Sequence, residues 1–347
     1  MEQITVQQAQ PLQASLYSRF VEYIDRSDKT TQTYLSNLKQ FFAWLKYRGI
    51  TQPRREDILA FRDWLQTEHE GIRLDPNSPA GWSRRGDLIT CSPNTTAQYL
   101  RTVRQFFTWT ASEGYYPDIA ANIHGPRIRH DIHRKDALTS AEVLTIEHSI
   151  LDKGRERMSA AKDPEQAAEQ ALRLYCIFLL AVNAGLRCIE LSRAKVRDLQ
   201  KRGGQAYLLV WGKGHTEPDA RKPLAPEVYE QLRDYLKVRE APAGPDMPLF
   251  TATGNRSRGK RLDPRTISTM IKQALREAGY DSDRLTAHSL RHTAGTAVQE
   301  ITGNLYQTQL YMRHSNPATT EIYLHNRSDQ EQGDIAAALY RYYHRGY

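Results

Sequence analysis

A stretch of about twenty residues occurs twice in the first third of the chain, and it restricts the fold more than any other feature. Thr30-Thr31-x-x-Tyr34-Leu35-x4-Gln40-Phe41-Phe42-x-Trp44-x4-Gly49 returns as Thr95-Thr96-x-x-Tyr99-Leu100-x4-Gln105-Phe106-Phe107-x-Trp109-x4-Gly114. In each copy the apolar residues fall three and four apart (Tyr34, Leu38, Phe41, Phe42, Leu45; then Tyr99, Val103, Phe106, Phe107), the spacing of one helix face. Ser or Thr ahead of each copy serves as an N-cap, and the glycine behind it as a stop. A solenoid needs several stacked units, so one pair predicts two helix hairpins packed together. Further helices are expected at about 13–25 and 55–68. Gly71 to Cys91, rich in Gly, Pro, Ser and Asp, reads as a surface insertion between the hairpins.

The rest of the chain is patterned differently. Residues 125–135 place Arg127, Arg129, Arg134 and Lys135 against one acid, Asp131. The segment reads as a basic linker that tracks a phosphate backbone, or equally as an exposed hinge. Thr139-Ser140-Ala-Glu142 has the form of a helix cap. Ala167 to Val182 predicts a buried helix that Gly185 ends. From Arg197 the pattern alternates: a short strand, a turn at Gly203-Gly204, a strand from Ala206 to Trp211 and a return from Arg221 to Leu224. Beyond that a helical run to the end is expected. The domains are set at 1–124 (helical), 125–137 (linker) and 138–347 (mainly α with a small antiparallel β-sheet).

Charge points to the partner. Lys and Arg number 48 against 40 Asp and Glu, a formal net charge of +8, which favours a polyanion. On the helices of the repeat, Lys39, Lys46, Arg101 and Arg104 oppose the apolar stripes; they are solvated surface cations or phosphate contacts. Three scattered cysteines (Cys91, Cys176, Cys188) give neither a disulfide framework nor a zinc finger and fit a reducing cytosol. The first residues lack a basic segment followed by an apolar one, and the longest apolar run, Tyr175 to Val182, falls far short of the roughly 20 residues of a membrane span. A cytoplasmic protein is expected.

Chemistry concentrates in the second half. Arg187 stands in Ala-Gly-Leu-Arg187-Cys-Ile-Glu190-Leu, Lys213 in Gly212-Lys213-Gly214, and His288 and Arg291 in His288-Ser-Leu-Arg291-His292. His314 and Tyr323 stand in His314-Ser-Asn-Pro-Ala-Thr319-Thr320-Glu-Ile-Tyr323. Arginine binds the non-bridging oxygens of a phosphate through paired donors and keeps its charge at any relevant pH. Glu190, three residues beyond Arg187, is a carboxylate suited to orienting that guanidinium. On a helix, His288 and Arg291 share a face. His288 and His292 lie four apart, yet no Glu follows the first His as in zinc proteases, and Arg291 repels a cation, so no metal is assigned. A tyrosine hydroxyl makes a stable phosphate ester. Its pKa near 10 against about 6.5 for histidine makes full proton transfer uphill by roughly 4.8 kcal/mol, a gap that arginines favouring phenolate help to close. Tyr311, Tyr340, Tyr342, Tyr343 and Tyr347 are rival hydroxyls in the same region.

This ordered set resembles the tyrosine recombinase (phage integrase) family. The resemblance implies a helical, SAM-like core-binding domain followed by a mixed α/β catalytic domain. By the same resemblance Tyr323, nine residues past His314, is the nucleophile, with Arg187, His288, Arg291 and His314 around the phosphate and Lys213 as the general acid. The loop after Lys213 is about two residues longer than the family pattern, which leaves Lys222 or Arg221 as alternatives. Where the family has Leu-Gly-His this chain has Met312-Arg313-His314, and Arg313 is free to contact DNA instead. Double-stranded DNA is the implied partner, with a homotetramer on two sites and no cofactor. The stretch from Ile335 to Tyr343 has an apolar face that docks on a neighbouring subunit or packs on its own domain. Site-specific recombination through a 3′-phosphotyrosyl intermediate is the implied activity. DNA relaxation of the type IB topoisomerase kind and a catalytically silent DNA-binding factor are the alternatives.

Overall fold

The structure is a computed structural model; it describes residues 11–12, 15–24, 28–67, 69, 71–74, 82–85, 90–126, 137–212, 217–239, 241, 244–254 and 256–313. Two compact units divide after residue 132.

The first unit is helical: α1 (Ser15–Tyr23), α2 (Asp28–Tyr47), α3 (Arg55–Thr67) and α4 (Pro93–Ser112). The repeated segments are α2 and α4. Their twinned phenylalanines interlock reciprocally, each ring meeting its opposite edge to face. Phe41 and Phe107 stand 6.0 Å apart and Phe42 and Phe106 5.5 Å apart, both pairs at 85°. The second copy is capped by Ser92, whose hydroxyl accepts from the Thr95 amide at 3.3 Å. Gly49 and Gly114 stand at equivalent points after the copies with φ of 69° and 73°, a conformation that suits glycine. Phe20, Phe41, Phe61, Phe106 and Phe107 are fully buried among them. Burying side chains of this size contributes roughly 1.5–3 kcal/mol each.

The expected insertion contains regular structure: Gly71–Leu74 and Trp82–Arg85 form an antiparallel ribbon, β1 and β2, with Leu74 opposite Trp82. Between them lies Asp75-Pro-Asn-Ser-Pro-Ala-Gly81, a run of turn-forming residues that dominates the composition and hides the short strands on either side.

In the second unit α5 (Ser140–Ala160) opens on a full capping box. The Glu142 carboxylate accepts from the Thr139 amide at 2.7 Å, and the Thr139 hydroxyl accepts from the Glu142 amide at 3.3 Å. The core centres on α6 (Pro164–Asn183), where Cys176, Ile177, Phe178 and Leu180 are buried. After the short α7 (Cys188–Arg193) come β3 (Leu199–Arg202), β4 (Gln205–Val210) and β5 (Ala220–Leu224), an antiparallel sheet in that order. Gly203 and Gly204, both at positive φ, turn β3 into β4. Four helices follow: α8 (Pro226–Val238), α9 (Pro264–Glu277), α10 (Ala287–Thr302) and α11 (Leu305–Met312).

The expectation of unbroken helix after β5 fails between α8 and α9. The described residues there run as an irregular strap with isolated bridges pairing Lys195 with Pro248 and Thr251 with Arg261. Pro242, Gly244, Pro245 and Pro248 crowd this stretch and forbid a helix. Among the described residues no helix is long and apolar enough to cross a membrane.

Candidate active site

Arg187 is positioned by the break between two helices. α6 ends at Asn183, Gly185 turns the chain at φ 61°, and Arg187 becomes the extended N-cap residue of α7. A side chain at Gly185 would be strained at that φ and would meet the Met312 side chain at 3.0 Å. Glu190, one turn into α7, has a fully buried carboxylate (1% exposed). One of its oxygens accepts from the Arg187 backbone amide at 2.8 Å, and the other meets the Arg187 guanidinium at 2.8 Å. Glu190 therefore holds Arg187 at both ends, while the guanidinium stays 38% exposed.

The same Glu190 oxygen takes a second cation. Arg313 Nη2 lies 2.7 Å away, as an ion pair rather than an aligned hydrogen bond. Arg313 follows α11 in a left-handed conformation (φ 52°, ψ 51°), the place where a helix usually ends on glycine. Its side chain is 17% exposed and turns inward onto Glu190. The reason is electrostatic: Glu190 has taken one guanidinium, its charge is buried, and Arg313 is the next cation within reach.

Arg291, in the second turn of α10, is buried and donates to the carbonyls of Gly185 and Met312. It joins the break after α6 to the end of α11. His288 stands three residues earlier on the same helix, exposed, its backbone amide donating to the Thr286 cap at 3.3 Å.

Lys222 completes the cluster from the sheet. It is 2% exposed, donates from Nζ to the Tyr311 carbonyl at 2.5 Å, and sets Nζ 3.1 Å from the centre of the Tyr311 ring. Burial, helped by Arg313 and Arg291 and opposed by Glu190, pulls its amine down to about 6. Strand parity was the signal for it. Along β5 Lys222 and Leu224 face inward, whereas Arg221 and Pro223 face out. Arg221 is exposed and stacks over Tyr207 at 5.6 Å. Tyr311, a rival nucleophile in the sequence, is committed to packing: its hydroxyl donates to the Asn183 carbonyl at 2.6 Å, and burial raises its pKa.

The structure thus brings together Arg187, Glu190, Arg291, Arg313 and Lys222. Lys213, His314 and Tyr323 lie outside the described residues, as do Arg127, Arg129, Arg134 and Lys135. The described residues beside Lys213 are tied: the Asp219 carboxylate accepts from the Gly212 amide at 2.6 Å, and Arg193 donates to the Gly212 carbonyl at 2.8 Å. In the helical unit Lys39, Lys46 and Arg101 are exposed and Arg104 is half-buried; Lys39 also lies 5.8 Å from the Tyr17 ring. Two guanidiniums paired with a single carboxylate, and a third held by backbone carbonyls, leave surplus positive charge, which suits a phosphate.

Residues 154–330 match the family model described as the phage integrase family. This chain belongs to that family. A tyrosine recombinase XerD of Caulobacter vibrioides is 32% identical over 239 residues, covering 67% of this chain and 71% of the relative. A tyrosine recombinase of Synechococcus elongatus is 27% identical over 306 residues, 88% of this chain and 87% of its own. Among solved structures, XerH site-specific recombinase bound to a palindromic difH substrate superposes with a TM-score of 0.64 at 20% identity, over 90% of this chain and 80% of that one. A lambda integrase dimer bound to a COC′ core site gives 0.58 at 15% identity, over 88% and 96%. The phage integrase fold accounts for both the helical layout and the small antiparallel sheet. Membership makes the chain a tyrosine-type site-specific recombinase, an enzyme that binds DNA.

Proposed function

We propose that the chain cleaves and rejoins DNA through a 3′-phosphotyrosyl intermediate formed on Tyr323 and exchanges strands between two sites. The observation that carries this reading is the sharing of Glu190 by Arg187 and Arg313, beside an Arg291 fixed by backbone carbonyls. Charge held in place before substrate arrives stabilises a pentacoordinate phosphate without reorganisation in the transition state.

In this reading the Tyr323 oxygen bonds to phosphorus as the bond to the 5′-oxygen breaks. The phenol proton passes to His288, and Lys213 protonates the departing oxygen. His314 donates to a non-bridging oxygen. The ester keeps the bond energy, so a 5′-hydroxyl from the partner duplex reverses the step. Residues 1–124 form the core-binding domain, with Lys39, Lys46, Arg101 and Arg104 on the backbone. Residues 125–137, with Arg127, Arg129, Arg134 and Lys135, link it to a catalytic domain at 138–347. Four copies assemble on two duplexes in the cytoplasm.

The test is trapping on a nicked suicide substrate. Wild type accumulates a covalent complex whose modified residue maps to Tyr323, and Tyr323→Phe binds the same DNA without forming it. A covalent link at another tyrosine removes the assignment. A wild type that binds but never links leaves the silent binding factor, and linkage with plasmid relaxation but no two-site exchange leaves the topoisomerase.

A further inference from the structure

The last turn of a helix leaves carbonyls without intrahelical partners, and cations are favoured there. At the end of α11 two such carbonyls are taken from different directions: Tyr311 by Lys222 of β5, and Met312 by Arg291 of α10. Tyr311 is fixed at two further points, its ring against Lys222 and its hydroxyl on the Asn183 carbonyl at the end of α6. An apolar residue would fill the inward site of β5 at less cost, as Leu224 does two residues on. The amine is thus spent on α11.

We infer that Lys222 is a positioning residue, which fixes the end of α11, and so the start of the segment leading to His314 and Tyr323, against the sheet. The inference rests on the recombinase reading above for its catalytic consequence and on the described contacts alone for the anchoring. It also assigns Lys222 a role other than general acid. The amine is buried and points at a carbonyl, with Arg291 of α10, Arg313 after α11, Glu190 of α7 and the Tyr311 ring around it. A neutral amine suits this place, since it donates to the carbonyl without adding charge beside two guanidiniums.

The two roles separate on a substrate whose bridging 5′-oxygen is replaced by sulfur. A thiolate leaves without a proton, so a defect in the acid disappears and a defect in presenting the nucleophile persists. At saturating DNA, Lys222→Met is expected to slow single-turnover cleavage about 10²-fold on both the oxygen and the sulfur substrate, the scale of a misplaced reacting group. DNA affinity stays unchanged, and Lys213→Ala recovers on sulfur. Wild-type rates in Lys222→Met, or recovery of Lys222→Met on sulfur, overturn the inference. Should Lys222→Met fail to fold, Lys222→Gln, which keeps a shorter donor, is read on the same pair of substrates: it should be slower than wild type on both, and recovery on sulfur overturns the inference. Hydrogen exchange gives a readout independent of catalysis. The amides of residues 305–313 should exchange faster in the variant while those of α6 keep their rates, and unchanged exchange in α11 refutes the anchor even if wild type forms no covalent complex.

Discussion

A lysine held among arginines makes stability depend on pH in a calculable direction. The folded chain lowers the Lys222 pKa from its ordinary 10.5 to about 6, whereas the unfolded chain restores the ordinary value. Between those limits the unfolded state binds the extra proton, so this residue makes stability rise with pH across the window. Below about pH 6 both states are protonated and its contribution is flat at its least favourable. Urea midpoints of wild type and Lys222→Met at pH 6.5 and pH 9 should therefore differ by pH, with wild type gaining on the variant at the higher value. Parallel profiles would mean that the amine stays charged in the fold. Strand parity alone would have turned Lys222 inward, since it shares a face with Leu224. The inward turn of Arg313 had no comparable local sign. It depends on where α11 ends and on a carboxylate 123 positions earlier in the sequence, at Glu190.

Among the elements, the twinned helices were the most legible because their pattern is local and occurs twice. A 3.6-residue stripe fixes the buried face, and duplication fixes the partner: the Phe pair of α2 meets the Phe pair of α4. Phe41 and Phe106 are fully buried and hold equivalent positions in the two copies. Their alanine variants should each lose about 3–5 kcal/mol in denaturant unfolding. Values differing by more than about 2 kcal/mol would show that the ring lattice is reciprocal in geometry and not in energy. The strap between α8 and α9 was not legible, because its bridges, Pro248 to Lys195 and Thr251 to Arg261, are isolated pairings with no periodic signature. The ribbon β1–β2 was hidden for another reason: strands of four residues carry too few alternations to stand out beside a proline-rich connection.

For the molecule as a whole, charge governs how it meets DNA. The surplus of basic residues predicts affinity that falls steeply with salt. Each cation that neutralises a phosphate contributes about 0.9 to the slope of log K against log salt concentration. Replacing Lys39, Lys46, Arg101 or Arg104 singly by Gln should lower the slope by about one per true contact and weaken all sequences alike. A variant that keeps the wild-type slope identifies a solvated surface residue, the alternative that charge alone left open. In the catalytic half four short motifs follow one another in sequence with their chemistry attached. Their convergence was readable only in part, because Glu190 gives no hint in the sequence that it serves two arginines.

That sharing has a practical side. A cluster with more guanidinium than carboxylate attracts small tetrahedral oxyanions, and the common ones are ingredients of laboratory buffers. Sulfate or phosphate carried through purification would compete with the nucleic acid for the same donors, so preparations in chloride or acetate give the fairer measure of the enzyme's turnover.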